Sequence, residues 1–129
     1  MEIISEDEGI YEGETYYGKR HGVGVFHWND GGIYNGEWHE NRIEGYGIMH
    51  LSDGRLCEGH FLDYSLDGQG SCYFPNHDCY HGQWERGVFH GTGVFYSAER
   101  GEWELGTFSQ GNLTKAFRTG KGMPLDLEL

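Results

Sequence analysis

The sequence predicts an all-β chain, a single-layer open antiparallel sheet built from tandem 23-residue β-hairpins. Three observations lead there. The chain holds 23 Gly and 2 Pro, is 16% aromatic and has little Ala, a composition suited to strands and turns. An anchor residue recurs every twenty-three positions, at Tyr11, Tyr34, Cys57, Tyr80 and Trp103. Bulky residues fall at even steps between clusters of turn formers, which places them on one face of a strand.

Residues 1–10 come first, and within them residues 3–8 read as the closing strand of a partial unit. Each full unit opens on its anchor, with Gly13, Gly36, Gly59 or Gly82 two places on. Thr15, Trp38, Phe61, Trp84 or Thr107 follows four places after the anchor. Glycine pairs come next, Gly22 and Gly24, Gly45 and Gly47, Gly68 and Gly70, Gly91 and Gly93. Even-spaced bulky residues follow, Phe26 and Trp28, Met49 and Leu51, Cys72 and Phe74, then Phe95 alone. The stretches "NDGG" at 29–32, "SDG" at 52–54 and "PNHD" at 75–78 carry the chemistry of short hairpin loops. The repeat domain spans 11–111, with units from 11, 34, 57 and 80 and a degenerate one from 103. In that last unit "WELGTF" carries an extra residue that puts Gly106 and Phe108 one place late. Residues 112–129 are a tail that either caps the sheet or lies on one face.

With six-residue loops on one edge and short hairpins on the other, Trp38 falls opposite Gly24 and Phe26 opposite Gly36 across a short hairpin. Across a long loop Trp38 falls opposite Gly45. A glycine leaves a slot in which a neighbouring ring lies against the backbone. The rings then tile one face of a ribbon of about nine or ten strands, on the order of 45 Å long.

The bulk numbers narrow the function classes. With 129 residues the chain is one domain. A net charge of −12 repels nucleic-acid phosphates and anionic lipid. Three cysteines cannot all pair, and the start "MEIISEDEG" is acidic where a secretory signal is basic and then apolar, so a reducing cytoplasmic setting is expected. Membrane contact is expected to be peripheral or indirect, since no apolar run approaches the ~20 residues of a span.

Tyr-x-Gly-x-aromatic followed by Gly-x-Gly, in register over four units at residues 11–102, resembles the membrane occupation and recognition nexus (MORN) repeat. The resemblance implies an open β solenoid that serves as a scaffold at cytoskeletal, ciliary or membrane-contact structures. It also implies membrane or phosphoinositide binding as an alternative. Against that alternative, the basic clusters are Lys19 with Arg20, and Lys115, Arg118 and Lys121. The tail from Asn112 carries three basic and two acidic residues, leaving −13 on the preceding part. Each polybasic residue offsets such repulsion by only about 1 kcal/mol.

Motifs for chemistry are weak. The Gly-x-Gly pairs lack the third glycine and following helix of a phosphate site. Cys72, His77 and Asp78 lie in or beside one hairpin loop with no oxyanion donors evident. His27 and His50 are two strands, about 10 Å, apart, too far for one zinc ion. Neither catalysis nor a cofactor is expected, and no metal within one molecule.

The expectation is therefore a non-enzymatic scaffold whose aromatic groove binds an extended or helical, basic or amphipathic segment of a partner protein, steered by an acidic rim. Tyr34, Trp38, Phe61, Tyr80, Trp84 and Phe95 are the candidate groove residues, because aromatic side chains dominate binding hot spots. A regulatory domain for a catalytic part outside this chain is a further alternative, and a homodimer through the sheet edges is compatible with the pattern. "RLCEGHF" at 55–61 looks like half a metal site, but Cys57 and His60 are an odd number of residues apart and point to opposite faces. If Tyr34 opposes Met49 and Tyr80 opposes Phe95, Cys57 opposes Cys72. Two small anchors there predict a notch in the aromatic face, preferred over a disulfide.

Overall fold

Turn chemistry sets the architecture of the computed structural model, which describes residues 1–124. At one edge of the sheet the connections are the two-residue turns Tyr17-Gly18, Glu40-Asn41, Asp63-Tyr64, Arg86-Gly87 and Gln110-Gly111, with positive φ at both residues of each. That is the type I′ pattern, whose twist suits tight hairpins. At the other edge four- or five-residue loops begin after Trp28, His50, Tyr73 and Ser97. The strands are β1 (Glu2–Glu6), β2 (Gly9–Tyr16), β3 (Lys19–Trp28), β4 (Ile33–His39), β5 (Arg42–His50), β6 (Leu56–Leu62), β7 (Ser65–Tyr73), β8 (Cys79–Glu85), β9 (Val88–Ser97), β10 (Glu102–Ser109) and β11 (Asn112–Lys121). All eleven form one antiparallel sheet in sequence order, with no helix among the described residues.

Three registers counted from the sequence are present: Tyr34 opposite Met49, Cys57 opposite Cys72, and Tyr80 opposite Phe95. The six-residue loops are not. Their residues belong to strands that run on to the two-residue turns, so β4 reaches His39 and β5 starts at Arg42. Trp38 therefore stands opposite Gly22 and Ile43, rather than Gly24 and Gly45, and Phe26 opposite Tyr34 rather than Gly36. The surplus length is absorbed in a bulge. Glu44, Gly45 and Tyr46 of β5 face the single residue Glu37 of β4. Gly45 has φ +109° there, a conformation a side chain would strain.

Side-chain carboxylate and amide oxygens hold these bulges. The Tyr46 N–H donates to Glu37 Oε2 (2.5 Å) and the Val23 N–H to Glu14 Oε1 (2.7 Å). Gln83 Oε1 does the same for the Thr92 N–H (2.8 Å). Each compensates a backbone donor that the bulge removes from the ladder.

On the other face the anchor tyrosines form the core. Tyr11, Tyr34 and Tyr80 are 0% exposed. Each ring lies against a glycine of the next strand, Gly24, Gly47 or Gly93, where a Cβ would collide with the ring. The Tyr34 and Tyr80 hydroxyls donate to the carbonyls of Glu37 (3.1 Å) and Gln83 (2.8 Å). Trp38 and Trp84 donate Nε1–H to the carbonyls of Gly24 (3.1 Å) and Gly70 (2.8 Å). So the ring-on-glycine packing holds, but tyrosine lies on the glycine and tryptophan bonds back across the strand.

The degenerate unit differs from the sequence count. Glu104, not Trp103, takes the anchor register opposite Phe95, and Gly106 and Phe108 fall opposite Gly93 and Gly91. The extra residue shifts the frame by one, and a one-residue shift turns a side chain to the other face. Phe108 is buried against Tyr80 (5.2 Å, edge-on), while Trp103 lies under the Arg118 guanidinium (5.7 Å). Residues 112–121 form β11 and so cap the sheet as a strand. Gly122 then hydrogen-bonds Gly101, and Met123 reaches Cys79 on β8, with Sγ and Sδ 3.7 Å apart. The part of the tail at 125–129 lies outside the described residues.

Candidate functional site

The aromatic face carries a concavity of about 550 Å³ centred on the third unit. A row of residues spaced twenty-three apart explains its position. Arg20, Ile43, Leu66 and Phe89 each occupy the same place beside the two-residue turn and pack inward, with Phe89 stacked on Tyr80 at 4.0 Å. Where the second unit has Tyr34 facing Met49, the third has Cys57 facing Cys72, and only Leu66 reaches over Gly70. Missing ring volume becomes the floor of the concavity. Ser65, Gly87 and Gly111 leave its turn-side end open.

The predicted groove residues divide. Phe61 and Trp84 line the concavity with Cys57 and Cys72, whereas Tyr34, Trp38 and Tyr80 are sealed into the core beside it. Tyr34 meets Trp38 (5.3 Å) and Phe61 (5.5 Å) edge-on. Phe95 is half-buried and belongs to a separate shallow depression with Phe74 and Pro75. Residues that ring counting overlooked make up much of the wall: Met49, Leu66, Phe74, Val88 and Phe89. The recurrence of Arg20, Ile43, Leu66 and Phe89 at twenty-three residues was the signal that could have found part of it.

At the floor, Cys57 and Cys72 are joined as a disulfide, which corrects the preference for two thiols. The reason is geometric. They are directly opposed across β6 and β7 with Cα atoms 4.2 Å apart, the close spacing of a non-hydrogen-bonded pair. Both are buried, and Cys79, the remaining cysteine, is half-buried on the opposite face with its thiol pKa raised by burial and then by Asp78. His60 is exposed, away from Cys57 as the odd spacing requires.

Burial pushes the phenols of Tyr34 and Tyr80 up to about 12, against the opposing effect of their own hydrogen bonds to Glu37 and Gln83. They act as neutral donors. Among the described residues no cluster of three or more His, Cys, Asp or Glu is arranged to hold a metal ion. Among the described residues no carboxylate or imidazole lines the concavity, so its chemistry is that of apolar contact with two guanidiniums, Arg55 and Arg86, at the margin.

The basic clusters are partly committed elsewhere. Arg20 stacks over Phe26 (5.1 Å) and Trp38 (4.9 Å), pairs with Glu6, and donates to the Asn41 carbonyl. Arg118 covers Trp103. Among the described residues no helix is long and apolar enough to cross a membrane.

Comparison with curated proteins gives no match. Comparison with protein families matches the MORN repeat at residues 11–33, 34–54, 57–79 and 80–99, four consecutive units whose starts coincide with the anchors Tyr11, Tyr34, Cys57 and Tyr80. With the matched repeats spanning most of the sheet, from β2 to β9, the chain belongs to the MORN repeat family.

Proposed function

We propose that this chain is a non-enzymatic protein-interaction scaffold whose aromatic face holds a peptide segment of a partner protein in the concavity over Cys57 and Cys72. MORN repeats serve in general as repeats for interaction with proteins or membranes. The observation that carries the finer reading is the concavity itself: about 550 Å³, lined by Met49, Phe61, Leu66 and Trp84 around the Cys57 and Cys72 floor, within the range of pockets that seat a ligand. A single-layer sheet cannot cover both faces, and the third unit leaves its side open where the others fill it. The ion pair of Arg20 with Glu6 weighs against a lipid role, because it neutralises one cation of the Lys19 and Arg20 cluster. A cytoplasmic site of action, at cytoskeletal or ciliary structures, belongs to the same proposal, with the Cys57–Cys72 pair reduced to two thiols in that setting.

Phage display of random peptides against the full chain tests this. Selected peptides are expected to bind at micromolar level and to lose at least tenfold when Ser65→Trp fills the open end of the concavity. Binders unaffected by Ser65→Trp, yet lost on substitution of opposite-face residues such as Tyr46 or Ile48, would sink the proposal.

A further inference from the structure

We infer that the concavity selects an acidic segment, an apolar anchor flanked on both sides by carboxylates. This rests on the groove reading and names the chemistry of its occupant, opposite in charge to the basic partner that net charge suggests. Of the described residues that line the concavity, Arg55 and Arg86 are the charged ones and none is acidic, in a chain with 21 acidic against nine basic residues.

The two arginines stand at opposite ends. Arg55 closes the loop ahead of β6, and Arg86 belongs to the two-residue turn after β8, at the other edge of the sheet. Strands of seven residues put those edges about 20 Å apart. Such a separation prevents both guanidiniums from closing on one compact anion such as a phosphate headgroup. It suits an extended segment of about six residues lying along the strands, with its apolar centre over the disulfide.

Local pairing leaves both cations available. Arg55 donates its Nε–H to Asp53 Oδ2 (2.9 Å), an ion pair that orients the guanidinium and leaves its two Nη groups as donors. Asp67 accepts from the Arg86 backbone N–H (3.1 Å), so it holds the turn rather than the side chain. The net −12 opposes an acidic ligand at long range, but at physiological salt that field is screened beyond about 8 Å, and contacts made inside that distance decide. Each exposed ion pair accounts for only a few-fold in affinity, so the two together are expected to amount to about tenfold.

Fluorescence polarisation on the full chain tests this with two labelled peptides sharing a Leu-Phe-Leu centre, one with two Glu at each end and the other with Lys in those positions. The acidic peptide is expected to bind about tenfold tighter, with the difference shrinking as salt is added. An Arg55→Glu/Arg86→Glu variant, with the floor unchanged and folding checked by its thermal midpoint, is expected to invert the preference. Equal affinities, or tighter binding of the Lys peptide, overturn the inference and leave the groove reading standing. Binding of neither peptide overturns both. Vesicles containing a phosphoinositide that bind the native chain and not the double variant would assign the arginines to lipid and also overturn it.

Discussion

At the residue scale, the tyrosines show how one side chain serves ring packing, glycine covering and hydrogen bonding together. Tyr34 and Tyr80 bury their rings and donate to a carbonyl three residues on, so they must stay protonated. Their folded pKa, about 12, lies above the ordinary 10 of an unfolded chain. The stability tied to these groups is therefore complete below pH 10 and is lost as pH rises from 10 through 12. An alkaline titration followed by tyrosinate absorbance is expected to show a late step, from Tyr34 and Tyr80, coincident with loss of the β-sheet circular dichroism. A single early step covering every tyrosine would contradict this. Cys57 and Cys72 belong to the same scale. Their separation is 15 residues, for which a chain-entropy account gives roughly 3 kcal/mol, less whatever order the hairpin retains when unfolded. Adding a reductant is expected to lower urea stability by about 1–3 kcal/mol, while a Cys57→Ser/Cys72→Ser variant shows no such response.

At the scale of the element, each hairpin is a tyrosine, a glycine and a latch. Tyr34 lies against Gly47, so Gly47→Ala forces the ring off the backbone and is expected to cost about 1–3 kcal/mol, the usual range for overpacking. Because the penalty comes from one contact, Tyr34→Ala in the same chain should relieve it, giving a coupling of more than about 1 kcal/mol in a double-mutant cycle by urea unfolding. The third unit is a natural version of that relief: Cys57 replaces the ring and Leu66 takes the place over Gly70. Glu37 is the latch, and Glu37→Ala should cost about 1 kcal/mol by releasing the Tyr46 N–H, with Glu37→Gln nearly neutral because Gln83 performs the same task in the fourth unit. The bulge and its latch were not legible in the sequence. Residues 39–44 contain polar and turn-forming types that read equally well as a loop, and only cross-strand pairing pulls them into β4 and β5.

For the whole molecule, the open sheet has two free edges and depends on β11 at one of them. Leu113 stands opposite Phe108, and β11 pairs along β10 from Ser109 to Glu102. Removing residues 112–129 would expose the β10 edge with its Trp103, Leu105 and Phe108, a template for pairing with another chain. Size-exclusion chromatography with light scattering is expected to show association of the truncated chain and a smaller species for the intact one. The net −12 favours solubility through mutual repulsion, and so the same truncation should associate faster as salt is raised.

The sequence by itself determined the period, the antiparallel hairpin order and the pairing of Tyr34 with Met49, Cys57 with Cys72 and Tyr80 with Phe95. Those follow from side-chain alternation and a constant repeat length, which are local properties of the chain. The tertiary structure decided what spacing leaves free. It converted six-residue loops into tight turns with bulges, moved the last anchor from Trp103 to Glu104, and sealed Tyr34, Trp38 and Tyr80 into the core. It also placed Arg55 and Arg86 at the two ends of a concavity whose lining, among the described residues, is otherwise uncharged. Bulges, burial and the meeting of distant side chains depend on how strands lie against one another, and a one-residue shift between two strands changes which side chains meet.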